Sequence, residues 1–148
     1  MIINLDEELQ ELFKKEEIFA MLDFKLIITD GESFSGFCVI LKSKNKESGL
    51  RYFSLIFIVD SPDNIKAGKI KSTLQNFDFE ILKNNIPELK KEISFANPES
   101  TSRHCYYEVY LYFDESLISP EKLLADKIYQ ELKKIRGLEI GDLIFWKE

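Results

Sequence analysis

One histidine, one tryptophan, two cysteines and four prolines serve a chain of 148 residues. These scarcities narrow its chemistry before any pattern is read. A lone histidine, His104, excludes a multi-histidine metal site. Cys38 and Cys105 fall inside strand-like segments and read as two buried thiols in a reducing compartment rather than as a disulfide or metal pair. Arginine is confined to Arg51, Arg103 and Arg136, so bidentate phosphate clamps are scarce. The six glycines never assemble GxGxxG or a phosphate-binding P-loop. No apolar run approaches the roughly 20 residues that a membrane helix needs. The opening MIINLDEELQ lacks the basic start and apolar core of a secretion signal. The expectation is a cytoplasmic protein with no cofactor, no metal site and no membrane association.

What is plentiful is aromatic and acidic. Twelve Phe and six Tyr favour a strand-rich core. Twenty basic against 26 acidic residues give a net charge of −6, which disfavours nucleic acid, whose binding rests on Lys and Arg neutralising phosphates. It favours a basic partner. The charge is uneven: residues 1–40 carry nine acidic and three basic side chains, whereas residues 41–75 carry three acidic and seven basic. The length suits a single domain over residues 1–148, large enough to bury a core without metal or disulfide staples.

Periodicity predicts an α+β fold: a mainly antiparallel sheet of about five to six strands, with an N-terminal helix and a C-terminal βαβ unit. Asn4 caps the first helix and Glu7 completes a capping box. Its face of Leu5, Leu9, Leu12 and Phe13 opposes Asp6, Glu7, Glu8 and Glu11, and the pattern carries it to about Leu22. Three strands follow, Phe24–Thr29, Ser33–Leu41 and Leu50–Val59, the first two joined at Asp30-Gly31. The third is apolar on both faces and reads as a central strand. Ser61-Pro62-Asp63 starts a helix to about Leu74. Phe77–Leu82 alternates like a strand, and Pro87 opens a short helix through Lys91. Glu92–Ala96 forms a strand that pairs with the next. Ser119-Pro120-Glu121 begins a helix with Leu124, Ile128, Leu132 and Ile135 as its buried stripe, ended by Gly137. Leu143–Trp146 is the last strand.

The segment from His104 to Asp114 alternates sharply. Cys105, Tyr107, Val109, Leu111 and Phe113 point one way and suit a core. His104, Tyr106, Glu108, Tyr110, Tyr112 and Asp114 point the other way, and no member of that face is purely apolar. Such a face either contacts a partner or lies half-buried under a helix.

Catalytic groups are few. His104 and Glu108 share a face but lie roughly 13 Å apart along a strand, too far for a direct hydrogen bond. Pro62-Asp63 with Glu88-Leu89-Lys90 matches a loose metal-nuclease pattern. That chemistry needs its carboxylates on adjacent strands, yet Asp63 opens a helix and Glu88 follows a helix-starting proline. Lys42, Lys44, Lys46 and Arg51 gather around one turn, as an anion loop or as a solvated turn that keeps a strand edge soluble.

The reading that follows is a non-enzymatic acidic protein-binding domain, of the kind in which an inhibitor or immunity protein neutralises a basic partner such as a toxin enzyme. Its contact residues are Tyr106, Glu108, Tyr110, Tyr112, Asp114 and His104, with Asp6, Glu7, Glu8 and Glu11 of the acidic helix. One alternative is a small-molecule-binding protein or enzyme with a pocket between sheet and helix near Glu108, lined by Arg103, Tyr106 and Tyr110. Another is a structural homodimer joined by sheet edges or by the tyrosine face.

Overall fold

A computed structural model describes residues 17–28, 31–44, 47, 51–60, 64–89, 94–95, 99–100, 104–113 and 121–145. The expected N-terminal helix therefore lies largely outside the described residues, as do Asp30, Ser61-Pro62-Asp63, Lys90 and Asp114.

The fold is α+β. Five long strands, β1 (Glu17–Ile27), β2 (Ser33–Lys44), β3 (Arg51–Asp60), β6 (His104–Phe113) and β7 (Leu138–Phe145), pair in the order β6-β3-β2-β1-β7. Two short strands, β4 (Ser94–Phe95) and β5 (Glu99–Ser100), extend the sheet on the outer side of β6. Every pairing among the described residues is antiparallel. Among the described residues three helices accompany it: α1 (Asn64–Gln75), α2 (Glu80–Asn85) and α3 (Glu121–Leu132).

β3 is an interior strand flanked by β2 and β6, as its sequence predicts. Phe53 to Val59 are all buried, because odd residues face one side of the sheet, even residues the other, and β2 and β6 flank both edges. The larger core lies on the odd face of β3. There Phe53, Leu55 and Phe57 meet Tyr107, Val109 and Leu111 of β6, Ile70 and Leu74 of α1, and Ile128 and Leu132 of α3. A smaller cluster of Met21, Val39, Leu41, Ile56 and Ile58 occupies the opposite face, with Ile18, Phe37 and Tyr106 packed against it. None of the three described helices contributes a side chain to that second cluster.

Several expectations are met. β1 and β2 form a hairpin whose Gly31 takes φ +89°, a conformation that costs glycine little. Gly137 takes φ +89° just beyond α3, whose buried stripe includes Leu124, Ile128 and Leu132. Ser94 and Phe95 do pair with β6. Cys38 and Cys105 are buried and joined in no disulfide, and burial pushes the Cys38 thiol well above its ordinary range.

Others are corrected. Glu17 to Leu22 belong to β1 and not to the end of a helix, because this stretch pairs with β2 and Ala20 to Leu22 also pair with β7. Two ladders outweigh a weak local preference. Phe77–Leu82 is no strand. The Asp78 carboxylate accepts the Glu80 amide at 3.2 Å, and the chain turns into α2, which buries Leu82 beside Phe79. Pro87 to Leu89 form a turn rather than a helix, with Leu89 bridged to Phe113. β7 begins at Leu138, five residues earlier than expected, because Leu138 to Ile140 continue the ladder with β1.

The alternation of pairings makes β6 and β7 point the same way, but three antiparallel strands stand between them. The connection through α3 thus spans the sheet instead of linking neighbours. Its first turn is anchored from below: Lys42 of β2 and Arg51 of β3 reach the Glu121 carboxylate at 3.0 and 3.2 Å. Two members of the basic turn cluster are therefore engaged with a helix end, where a carboxylate already complements the dipole.

Candidate functional site

On β6 burial alternates residue by residue, with Tyr106, Glu108, Tyr110 and Tyr112 half-buried between fully buried neighbours. Their face is the one opposite the three described helices. The ladder with β3 sets their cross-strand partners: Tyr112 faces Tyr52, Tyr110 faces Ser54, Glu108 faces Ile56 and Tyr106 faces Ile58. Side chains directly opposite or one diagonal step away are within reach of one another, so β3 supplies groups that the β6 segment alone does not reveal.

Glu108 is the hub. The Tyr110 hydroxyl, two residues along the same strand and on the same face, donates to Oε1 at 2.7 Å. The Ser54 hydroxyl donates to Oε2 from the diagonal position on β3. Ser54 is only 3% exposed, and this bond satisfies a hydroxyl that would be costly to bury alone. Tyr52 closes one end, its ring 5.8 Å from Tyr110 in an edge contact and 5.2 Å from Tyr112 in a tilted one. Burial first, then the bond to Glu108 and the nearby negative charge, push the Tyr110 phenol well above its ordinary range. Tyr110 is thus a proton-bearing donor at neutral pH and not a base.

These groups surround a half-open pocket of about 230 Å³. Tyr52, Ser54, Tyr106, Glu108 and Tyr110 line it, with Leu41 and Ile56 as its apolar wall. Its size falls below the roughly 300–1,000 Å³ usual for drug-sized ligands. A wider groove of about 880 Å³ lies between the α1 terminus at Thr73 and Asn76 and the turn at Arg136 and Gly137. None of its lining residues is a buried polar group.

No Lys, Arg or His forms an ion pair with Glu108 among the described residues. On the neighbouring strands, Lys42 and Arg51 are engaged on Glu121. The buried acids among the described residues do have such partners: Glu88 takes Lys127, and Glu131 takes Lys134 at 2.9 Å together with the Asn85 amide at 3.1 Å.

The expected contact residues separate into three groups. Tyr106, Glu108, Tyr110 and Tyr112 are brought together. His104 stands apart: it is 7% exposed and reaches Asp60 through Nε2 at 3.4 Å, at the far end of the ladder. Asp6, Glu7, Glu8, Glu11, Arg103 and Asp114 lie outside the described residues. Tyr52 and Ser54 join them from β3, which the alternation of β6 alone does not reveal. The signal for Ser54 was a lone hydroxyl within the apolar run from Phe53 to Val59, a position that demands a partner.

Among the described residues no group of three or more His, Cys, Asp or Glu could hold a metal ion. Of the nuclease-like pattern only Glu88 and Leu89 are described, and Glu88 sits in a turn bonded to Lys127 of α3 rather than on a strand. No described helix is long and apolar enough to cross a membrane. No family model, curated protein or solved structure matches the chain.

Proposed function

We propose that this chain is a non-enzymatic protein-binding domain that engages a basic protein through the tyrosine face of β6 and β3. The supporting observation is Glu108: half-buried, held by two neutral hydroxyls, and in no ion pair among the described residues. A carboxylate positioned so carefully and left without a cation suits a surface completed by another molecule. The flanking tyrosines offer apolar rings with polar tips, the side-chain type enriched at interfaces. The net charge of −6 steers basic partners toward it. An inhibitor or immunity role against a basic toxin enzyme is one concrete form. In this reading an N-terminal acidic helix bearing Asp6, Glu7, Glu8 and Glu11 widens the contact surface, and the two buried thiols belong to a cytoplasmic protein.

A second reading keeps the pocket for a small molecule, on the ground that a real concavity adjoins Glu108. Its volume lies below the range usual for drug-sized ligands, which favours a small one. Dimerisation through the open side of β7 has weaker support. That strand shifts register with β1 near Gly141, and the Gly141 carbonyl accepts the Tyr129 hydroxyl at 2.9 Å; both features discourage strand addition.

The test is capture from a lysate of the source organism at moderate salt, with mass spectrometry of what the immobilised chain retains. The expected result is a basic protein held in stoichiometric amount by the wild type and lost on a folded Tyr110→Ala/Tyr112→Ala variant. Equal retention by that variant would move binding off this face. Retention of no protein would favour the small-molecule reading.

A further inference from the structure

The pocket beside Glu108 has a defined chemistry. Resting on the protein-binding reading, we infer that it is the seat of one basic side chain, a lysine ammonium or arginine guanidinium, delivered by the partner protein.

Three observations lead there. The first is electrostatic. Docking any surface over the tyrosine face removes the remaining water from Glu108. A carboxylate stripped of water needs a counter-charge or further donors, and Ser54 and Tyr110 supply only neutral ones. Each oxygen has accepted one hydroxyl, so each retains acceptor capacity for a cationic donor. A wholly apolar partner surface would leave the charge buried and uncompensated; an acidic one would add repulsion.

The second is the surround. Tyr52, Tyr106 and Tyr110 line the same pocket as Glu108. Aromatic faces attract Lys and Arg through the ring quadrupole, most strongly where water is excluded. Carboxylate and rings therefore select the same ligand class, and Leu41 and Ile56 offer apolar wall for the aliphatic stem of such a side chain.

The third is size. A volume of about 230 Å³ suits one side-chain head and lies below the range usual for nucleotides and other drug-sized ligands. The pocket acts as the central anchor, and Tyr112, beside Tyr52 at the rim, belongs to the water-excluding surround that such anchors need.

The experiment is a titration of the isotope-labelled full chain followed by NMR, with N-acetyl-lysine-methylamide, N-acetyl-arginine-methylamide and N-acetyl-norleucine-methylamide as probes. Norleucine retains the lysine stem and lacks the charge. The expected result is saturable, millimolar-range shifts at Tyr52, Ser54, Glu108 and Tyr110 with the lysine or arginine probe. Norleucine should bind at least about tenfold more weakly, and Glu108→Gln should abolish the difference. Equal shifts from norleucine, or no saturable shift at these residues from either cation, would overturn the cation seat. The lysine–norleucine comparison needs no variant, so it decides the matter even if Glu108→Gln does not fold. Failure here leaves the protein-binding reading standing, because that reading is decided by the tyrosine variants in the capture experiment. Loss of capture dependence with cation binding retained would instead assign the pocket to a free alkylammonium or guanidinium ligand.

Discussion

Ser54 and Glu108 meet diagonally across the β3–β6 ladder, the serine hydroxyl donating to a carboxylate whose direct cross-strand neighbour is Ile56. The contact converts an awkward serine in a central strand into the support of the site. It also holds Glu108 on the pocket side, where Tyr110 bonds the other oxygen.

Replacing Ser54 with alanine removes one of two donors to that carboxylate. Hydrogen bonds to charged groups contribute about 1.5–3 kcal/mol, and water reaches half-buried Glu108 to replace part of this. The expected loss is about 1 kcal/mol in urea unfolding, with an unchanged m-value. Cation binding should weaken in parallel, since Glu108 would lose its orientation.

The tyrosines set an alkaline limit. Tyr107 and Tyr110 both have phenol pKa values raised, chiefly by burial, and Tyr110 also by its bond to Glu108. Their stabilising effect is complete below the ordinary tyrosine value near 10. Above it the unfolded chain loses protons that the folded chain retains, so stability falls as pH rises. Unfolding followed from pH 8 to 12 should show this decline, and Tyr110→Phe should make it shallower.

Lys127 projects from α3 toward Glu88, which is 5% exposed. The lysine end is substantially exposed, so solvent screens part of the pair. Lys127→Ala should nevertheless cost about 1–2 kcal/mol, because it removes a charged donor from a buried acid. Lys127→Ala with Glu88→Gln should recover part of the loss, a coupling measurable by a double-mutant cycle.

At Gly36 on β2 the backbone passes beneath the Phe24 ring. A methyl group there would stand 2.5 Å from the Ile58 carbonyl oxygen and 2.7 Å from the ring. The obstacle on one side is backbone and cannot rotate away. Gly36→Ala should therefore destabilise by about 2–3 kcal/mol, near the upper end of overpacking costs, readable as a lowered melting temperature.

Much of the fold was legible because local patterns agreed with the final packing. β3 was apolar on both faces and lies inside the sheet, buried on both faces. The stripe on α3 and the glycine after it marked a helix and its end. Errors fell where local preference was weak. Residues 17–22 carry a helix-compatible pattern, yet they gain ladders with β2, and from Ala20 with β7 as well. Phe77 to Leu82 alternates by chance, and the Asp78 turn decides its conformation.

The tyrosine–carboxylate face of β6 was determined by the sequence itself, since alternation in an extended segment depends on nothing beyond adjacent residues. So were the negative charge and the poverty of catalytic groups. Only the tertiary structure decided which strand would lie beside that face. Register with β3 is set by the packing of the whole sheet, and a slip of one residue would have sent Tyr52 and Ser54 to the other side. The pocket beside Glu108 exists because two strands far apart in the chain were brought into one register, a relation that no single segment encodes.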